Sequence, residues 1–109
     1  MVRPGVPVRG STTGRPIMAA LDLLGRRWSL RILWELRGER LGFRALRQRC
    51  DAMSTSVLRQ RLVELAGAGL IDQDEQQRYR LTPIGVDLGI ALRPLLRWSQ
   101  RWADSTDAR

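Results

Sequence analysis

The stretch MSTSVLRQRLVELAGAGL, residues 53–70, predicts a helix with one buried and one exposed face. Ser54 is a suitable N-cap, and the apolar residues that follow recur at the spacing of one helical face. The predicted inward residues are Val57, Leu58, Leu62 and Leu65. The predicted outward residues are Thr55, Ser56, Arg59, Gln60 and Val63. Hydroxyls beside an arginine and an amide, with no acid before Glu64, suit the base edges and phosphates of a nucleic acid.

A second amphipathic helix is predicted immediately before this one, over residues 43–50, FRALRQRC. Its inward residues are Phe43, Leu46 and Cys50, and its outward residues are Arg44, Arg47 and Arg49. Residues 51–53 form the connecting turn. Two short helices joined so tightly, the second with a polar outer face, indicate a helix-turn-helix. A plain helical hairpin is the alternative, and arginines on both outer faces argue against it.

A small β-hairpin is predicted directly after the helix-turn-helix. Residues 70–72 begin a strand, and in residues 77–82, QRYRLT, Tyr79 and Leu81 alternate with arginines, as in a returning antiparallel strand. Leu41 is placed where it could add a short strand. A helix-turn-helix followed by such a hairpin is a winged helix, so the predicted fold class is mainly α with a small β-hairpin.

Helices with surplus apolar surface flank this core on both sides. The first is predicted to begin at Pro16, and the last to run from Pro83 to about Trp102 with a kink at Pro94. Both carry more apolar residues than a one-sided surface helix needs. A chain this short is marginally stable alone, so this surplus apolar surface is expected to pack against a partner.

Between the first helix and the helix-turn-helix, residues 28–36 predict a central helix that is apolar nearly all round and ends at Gly38. Ser29, Arg31 and Glu35 are expected to face solvent, and the last two can pair at i, i+4.

Length indicates the domain organisation, and charge indicates the class of partner. The 109 residues predict one winged-helix domain over residues 16–102, with a disordered basic tail at 1–15 and a frayed end at 103–109. The net charge is +8, and residues 1–50 carry 11 arginines against three acids, whereas residues 51–109 carry eight of each. Every basic residue is arginine. Such an excess favours a nucleic acid or an anionic membrane surface as partner.

Missing residue types exclude several functions. Without histidine there is no Ser/His/Asp set and no Cys/His zinc site, and a single cysteine makes no intramolecular disulfide. We therefore predict no enzyme activity, no metal and no cofactor. The sequence has no secretion signal and no apolar run of 18 residues, so a cytoplasmic protein without a membrane partner is expected.

Four sequence blocks resemble the HxlR-type winged-helix transcriptional regulators over roughly residues 15–102. The blocks are LDLLGRRW, VLRQRLVELAGAGLI, YRLTPIG and a late tryptophan, in that order. The resemblance implies a homodimer, assembled from the N- and C-terminal helices, that binds a roughly palindromic operator. The residues predicted at the dimer interface are Ile17, Met18, Leu21, Leu92, Leu95, Trp98 and Trp102.

Departures from the family pattern limit what the resemblance implies. Oxidant-sensing members often carry a Cys-Pro pair before the first helix, where this chain has Arg15 and Pro16. A sensing role is therefore not carried over, and Cys50 is predicted to be a core residue. The wing is also shorter than usual and lacks the family's proline. Its acids, Asp72, Asp74 and Glu75, are expected to repel phosphate.

The predicted function is a sequence-specific regulator, a repressor, that inserts the helix beginning at Ser54 into the major groove of double-stranded DNA. Thr55, Ser56, Arg59 and Gln60 are predicted to face base edges or flanking phosphates, with Arg59 on a guanine. Arg44, Arg47 and Arg61 are predicted to clamp phosphates. Arg78 and Arg80 of the wing are either backbone contacts or plain solvated strand residues.

Two other interpretations stay open. A winged helix can be a protein-interaction module without specific DNA binding, and the acidic wing favours that alternative. A small-molecule effector is a further option, since Trp28, Trp34, Trp98 and Trp102 could line a ligand pocket. More often such indoles are core and interface residues, so the sequence does not support an effector.

Overall fold

The computed structural model describes residues 15–107, which form helices around one short hairpin. The elements in chain order are α1 (Pro16–Leu24), α2 (Ser29–Glu35), α3 (Phe43–Arg49), α4 (Thr55–Gly67), β1 (Ile71–Gln73), β2 (Tyr79–Leu81), α5 (Pro83–Ala91) and α6 (Arg93–Asp107). A helix-turn-helix followed by an antiparallel hairpin confirms the predicted winged-helix class. The predicted basic tail lies outside the described residues except for Arg15. No helix within residues 15–107 is both long and apolar enough to cross a bilayer.

The core lies where α2, α3, α4 and the first strand meet. The largest completely buried apolar side chains are Ile32, Leu46, Leu58, Leu65 and Ile71. The predicted inward face of α4 is thereby confirmed, with Leu62 also buried and Val57 partly buried against the cluster. The helix begins as the sequence predicts, since the Ser54 Oγ accepts a hydrogen bond from the Val57 amide at 3.4 Å.

The hairpin is tied to both neighbouring parts of the fold. Its strands pair in register with Ile71 opposite Leu81, and the predicted short strand at Leu41 forms an isolated bridge to Tyr79. At the start of α5, a Cβ on Gly85 would lie 2.1 Å from the Leu70 carbonyl oxygen. Only glycine permits this approach of α5 to the hairpin.

The start of the central helix, α2, differs from the sequence prediction. Ser29 was expected to face solvent but is completely buried, and its Oγ has no hydrogen-bond partner in the described part of the chain. The cause is the preceding residue, Trp28, which takes a left-handed backbone (φ 79°) and turns the first residue of α2 toward the core. The helix ends at Glu35 rather than at Gly38. The predicted Arg31–Glu35 pair is confirmed, at 2.8 Å.

The single C-terminal helix predicted over residues 83–102 is wrong, because it is two helices. The break falls at Leu92, and Pro94 lies in the first turn of α6. A proline lacks an amide hydrogen and its ring clashes with the carbonyl four residues earlier, so here it separates two helices instead of kinking one. The second helix then continues to Asp107. The predicted frayed end is therefore wrong for residues 103–107.

Candidate nucleic-acid interface

The turn between α3 and α4 is fixed by its own backbone and by Arg47. Asp51 and Ala52 both adopt left-handed conformations, with φ of 59° and 55°. Arg47 spans the turn, since its Nε donates to the Met53 carbonyl at 2.7 Å and its terminal nitrogen donates to the Ala52 carbonyl at 3.3 Å. The guanidinium predicted to clamp a phosphate thus has a structural role in holding α3 against α4.

The outer face of α4 is exposed along its length, as predicted. Its five outward residues are Thr55, Ser56, Arg59, Gln60 and Val63. Ser54 is exposed at the helix start, where its hydroxyl lies 3.0 Å from that of Ser56. Two hydroxyls at a helix N-terminus, followed one turn later by an arginine and an amide, present donors and acceptors to one side of the domain. No acid lies on this face.

Two arginines beside this face have no acidic partner in the part of the chain that the structure describes. Arg44 is exposed on α3 and makes no ion pair there, whereas Arg59 lies over the ring of Phe43 at 4.8 Å. Packing of the guanidinium on the ring restrains the Arg59 side chain, and its N–H donors make no hydrogen bond in the described part of the chain. Their positive charges are therefore available to a ligand.

Arg61 differs from these two. Its Nε donates to the Arg27 carbonyl at 2.8 Å, and its terminal nitrogen lies 3.1 Å from a Glu64 carboxylate oxygen. The side chain is only 17% exposed. The predicted phosphate contact of Arg61 stays a prediction, and these internal contacts weigh against it.

Two of the three wing acids, Asp72 and Asp74, are engaged by arginines. The Asp74 carboxylate accepts from the Gln76 and Arg78 amides at 2.9 and 3.0 Å and pairs with the side chains of Arg78 and Arg40. The hydrogen bond from the Arg78 amide is the main reason that the pKa of Asp74 falls to about 2. Asp72 pairs with Arg80 at 2.6 Å.

The wing therefore carries fewer uncompensated charges than its sequence suggests. Asp72 and Asp74 are each neutralised by an arginine, so the repulsion of phosphate expected from them is weak. Glu75 has no ion-pair partner among the described residues. Equally, the two arginines predicted as backbone contacts, Arg78 and Arg80, already have acidic partners.

The wing should lose stability in acid through Asp74. A carboxyl whose folded pKa is about 2, below its ordinary value of 3.8, stabilises the fold above pH 4, and this contribution is lost as pH falls from about 4 toward 2. We expect the thermal midpoint to fall more steeply over that range in the wild type than in Asp74→Asn. The neighbouring variant Glu75→Gln is the control and should keep the wild-type slope. Equal slopes in all three proteins would contradict the assigned role of Asp74.

The single cysteine is part of the core, as predicted. Cys50 is completely buried at the end of α3, and this burial raises the pKa of its thiol. A buried, protonated thiol is a poor nucleophile, since the thiolate is the reactive form.

Apolar side chains remain uncovered on the helices predicted to form a dimer. Five of the seven predicted interface residues are exposed by 46–59%, namely Ile17, Leu21, Leu95, Trp98 and Trp102. Met18 and Leu92 are half-buried. Trp98 and Trp102 stack with their ring centroids 5.6 Å apart. None of residues 93–106 is buried, so α6 projects from the protomer with its apolar side unfilled.

Sequence reasoning missed part of this apolar surface. The additional exposed residues on the C-terminal helices are Ile84, Val86, Ile90 and Leu96. The signal was present in PIGVDLGIA, in which Asp87 is the only charged residue and apolar residues occur on several sides of the helix. A helix apolar on all sides indicates burial from more than one direction.

A winged helix whose α4 presents an exposed, acid-free face has the architecture of the DNA-binding helix-turn-helix regulators. The model of the HxlR-like helix-turn-helix family matches residues 23–107. The chain belongs to this family, and it is a DNA-binding helix-turn-helix regulator. No curated protein matches the chain at the sequence level.

Solved structures agree with this assignment. The chain is similar to quinone-bound YodB from Bacillus subtilis, at 28% identity over 82% of this chain and 94% of that one, with a TM-score of 0.66. A regulator of the MarR family from Enterococcus faecalis is 26% identical over 94% and 98% of the two chains, with a TM-score of 0.74. A possible HxlR family transcriptional factor from Thermoplasma volcanium is 26% identical over 86% and 90%, with a TM-score of 0.71. These neighbours are described as regulators, not as enzymes.

Proposed function

We propose that the chain is a sequence-specific repressor that binds a roughly palindromic operator in double-stranded DNA as a homodimer. The observation that carries the proposal is the exposed face of α4, on which Ser56, Arg59 and Gln60 lie without any acid. A major groove admits an α-helix, and these side-chain types read base edges there.

Each DNA contact is assigned according to whether the side chain already has a partner within the chain. Arg59 is assigned to a guanine, because a guanidinium fork matches the O6 and N7 acceptors and the ring of Phe43 limits its motion. Arg44 is assigned to a phosphate. Ser54, Thr55 and Ser56 lie at the helix start, where hydroxyls and amides suit a flanking phosphate. Arg47 and Arg61 are weaker candidates for a DNA contact than these residues, because both already donate to carbonyl oxygens of the chain.

The dimer is supported by the uncovered apolar side chains of α1, α5 and α6. An amphipathic helix with no buried residue needs a partner for its apolar side. A second copy of the chain would cover it and place two α4 helices on one face of the DNA, about 34–36 Å apart. Two-fold symmetry of the protein then requires a roughly palindromic operator. Such a dimer would repress a gene whose promoter overlaps the operator, because it would exclude the polymerase there.

The quinone of the Bacillus protein is not carried over to this chain. Quinones are electrophiles that react with thiolates, and the single cysteine here is buried with a raised pKa. A small-molecule effector therefore remains unsupported.

The proposal is tested by incubating the protein with random-sequence duplexes at moderate salt and sequencing the bound fraction. We expect a palindromic motif with half-sites one turn of duplex apart. A module that binds another protein would give no enriched sequence, and that result would contradict the proposal.

Substitution of the two free arginines separates base reading from phosphate binding. Arg59→Ala should relax the preference at one position per half-site, at a cost of about 1–3 kcal/mol. Arg44→Ala should weaken binding to all sequences and reduce the salt slope by about 0.9 per protomer. Arg97→Ala, which removes an exposed arginine from α6, is the control. Equal, sequence-independent losses for Arg59→Ala and Arg44→Ala would refute the assignment.

A further inference from the structure

Four charged side chains join the N-terminal helix to the recognition helix. Asp22 lies on α1, Arg26 lies in the following corner, and Arg61 and Glu64 lie on α4. The Arg26 guanidinium bridges the two helices, with one terminal nitrogen 2.9 Å from Asp22 and the other 3.1 Å from Glu64. The other Glu64 oxygen lies 3.1 Å from Arg61, whose Nε donates to the Arg27 carbonyl. We call these four residues the α1–α4 ion cluster.

The cluster is sheltered from water. Its four side chains are only 14–22% exposed, which reduces the solvent screening that weakens surface ion pairs. Two positive and two negative charges balance within it. Both terminal nitrogens of Arg26 are occupied, and its buried Nε has no hydrogen-bond partner among residues 15–107. Removing Glu64 would leave the partly buried Arg61 without an acidic partner and Arg26 with Asp22 alone, which is costlier than losing a surface pair.

The chain corner that carries Arg26 is tightly closed. A Cβ at Gly25 would lie 2.8 Å from the Leu21 carbonyl oxygen, so the end of α1 closes tightly on itself. Trp28 then holds a left-handed backbone at the start of α2. Few backbone conformations connect Gly25 at the end of α1 with Trp28 at the start of α2. The positions of Arg26 and of the Arg27 carbonyl relative to α1 are therefore restricted.

The cluster connects the two surfaces that the proposed function uses. Leu21 precedes Asp22 and is 59% exposed on the proposed dimer face. Gln60 precedes Arg61 and is exposed on the proposed DNA face. A dimer recognises an operator only when its two recognition helices have the separation of the half-sites. The orientation of α4 relative to α1 sets that separation.

We propose that Glu64 is a positioning residue, which through Arg26 fixes α4 against the dimerisation helix and so determines the half-site spacing that the dimer accepts. The proposal rests on the proposed function and adds to it the residue that controls spacing. Glu64 itself needs no contact with DNA, because its two oxygens face Arg26 and Arg61. Coupling between two surfaces through such a cluster is typically worth about 5–150-fold in affinity.

The experiment measures spacing preference rather than affinity alone. The palindrome selected by the wild type is synthesised with its half-sites at the preferred separation and with one base pair added or removed. Affinities are measured for the wild type, Glu64→Gln, Arg26→Gln and the double variant. Asp87→Asn is the control, because it likewise converts an acid to an amide, but at an exposed position without an ion-pair partner in the described part of the chain. Circular dichroism and thermal midpoints are recorded for every protein.

The wild type and Asp87→Asn should prefer the selected spacing by about tenfold, and Glu64→Gln should lose about fivefold of that discrimination. Arg26→Gln should lose a similar amount, and the double variant no more than either single one. If Glu64→Gln unfolds, the positioning role is tested by Arg26→Gln, through the ratio of its affinities for the selected and the altered spacing.

Wild-type spacing ratios in Glu64→Gln and Arg26→Gln would overturn the positioning role and leave the proposed function standing. Absence of any selected motif for the wild type would instead overturn both. Additive losses in the double variant would also count against the proposal, since they would show that the two residues act independently.

Discussion

Replacing Leu58 with alanine is expected to lower the free energy of unfolding by about 2–5 kcal/mol. Leu58 is completely buried on the inner face of α4, so truncation removes apolar contacts and leaves a cavity among well-packed neighbours. Domains of this size are stable by about 5–15 kcal/mol, so the loss is a large part of the whole. Denaturant unfolding followed by tryptophan fluorescence measures the change.

The matched control is Val63→Ala on the same helix. Val63 is 70% exposed, and its truncation should change stability by no more than about 0.5 kcal/mol. A small effect of Leu58→Ala, comparable to that of Val63→Ala, would mean that α4 does not pack by the face described. Alanine has a high helix propensity in both variants. The difference between their losses in unfolding free energy therefore reflects the burial of the replaced side chain.

Trp98→Glu is expected to dissociate the proposed dimer and weaken operator binding by about 10²–10⁴-fold. A single protomer engages one half-site and loses the gain that comes from holding two sites at once. Since Trp98 is 48% exposed in the protomer, a charge there costs little in isolation but a great deal in an apolar interface. Sedimentation and a gel shift with the selected operator measure the two losses.

Gln100→Glu provides the control for Trp98→Glu. It adds the same charge to α6 at an exposed position two residues away, on the opposite side of the helix. It should leave both assembly and DNA binding close to wild type. A dimeric Trp98→Glu protein with unchanged operator affinity would refute the proposed interface.

The helix-turn-helix could be predicted from sequence because its determinants are local. Spacing of Leu58, Leu62 and Leu65 fixed the buried face of α4, and Ser54 marked its start through a side-chain hydrogen bond. The alternation around Tyr79 placed the hairpin in the same way. Each of these features depends on residues a few positions apart, so periodicity is sufficient to find it.

Sequence reasoning was wrong or incomplete where distant residues or unusual backbone decide the outcome. A serine reads as solvent-facing from its polarity, yet the left-handed backbone at Trp28 turns Ser29 into the core. Arg61 reads as a free cation, yet an acid three residues on and the Arg27 carbonyl engage it. Asp74 of the wing likewise pairs with Arg40, which lies outside the hairpin and before α3. Pattern analysis cannot place such partners, because their sequence separations reach 34 residues.

The unfilled apolar side of α6 has a consequence for gene dosage. In the proposed dimer, a helix that buries nothing in its own protomer gains stability only on assembly, so folding and association share one concentration-dependent equilibrium. Below the dissociation constant of the dimer, operator occupancy then rises more steeply than in proportion to the amount of protein made. A modest change in synthesis of the regulator becomes a larger change at the promoter, without any ligand.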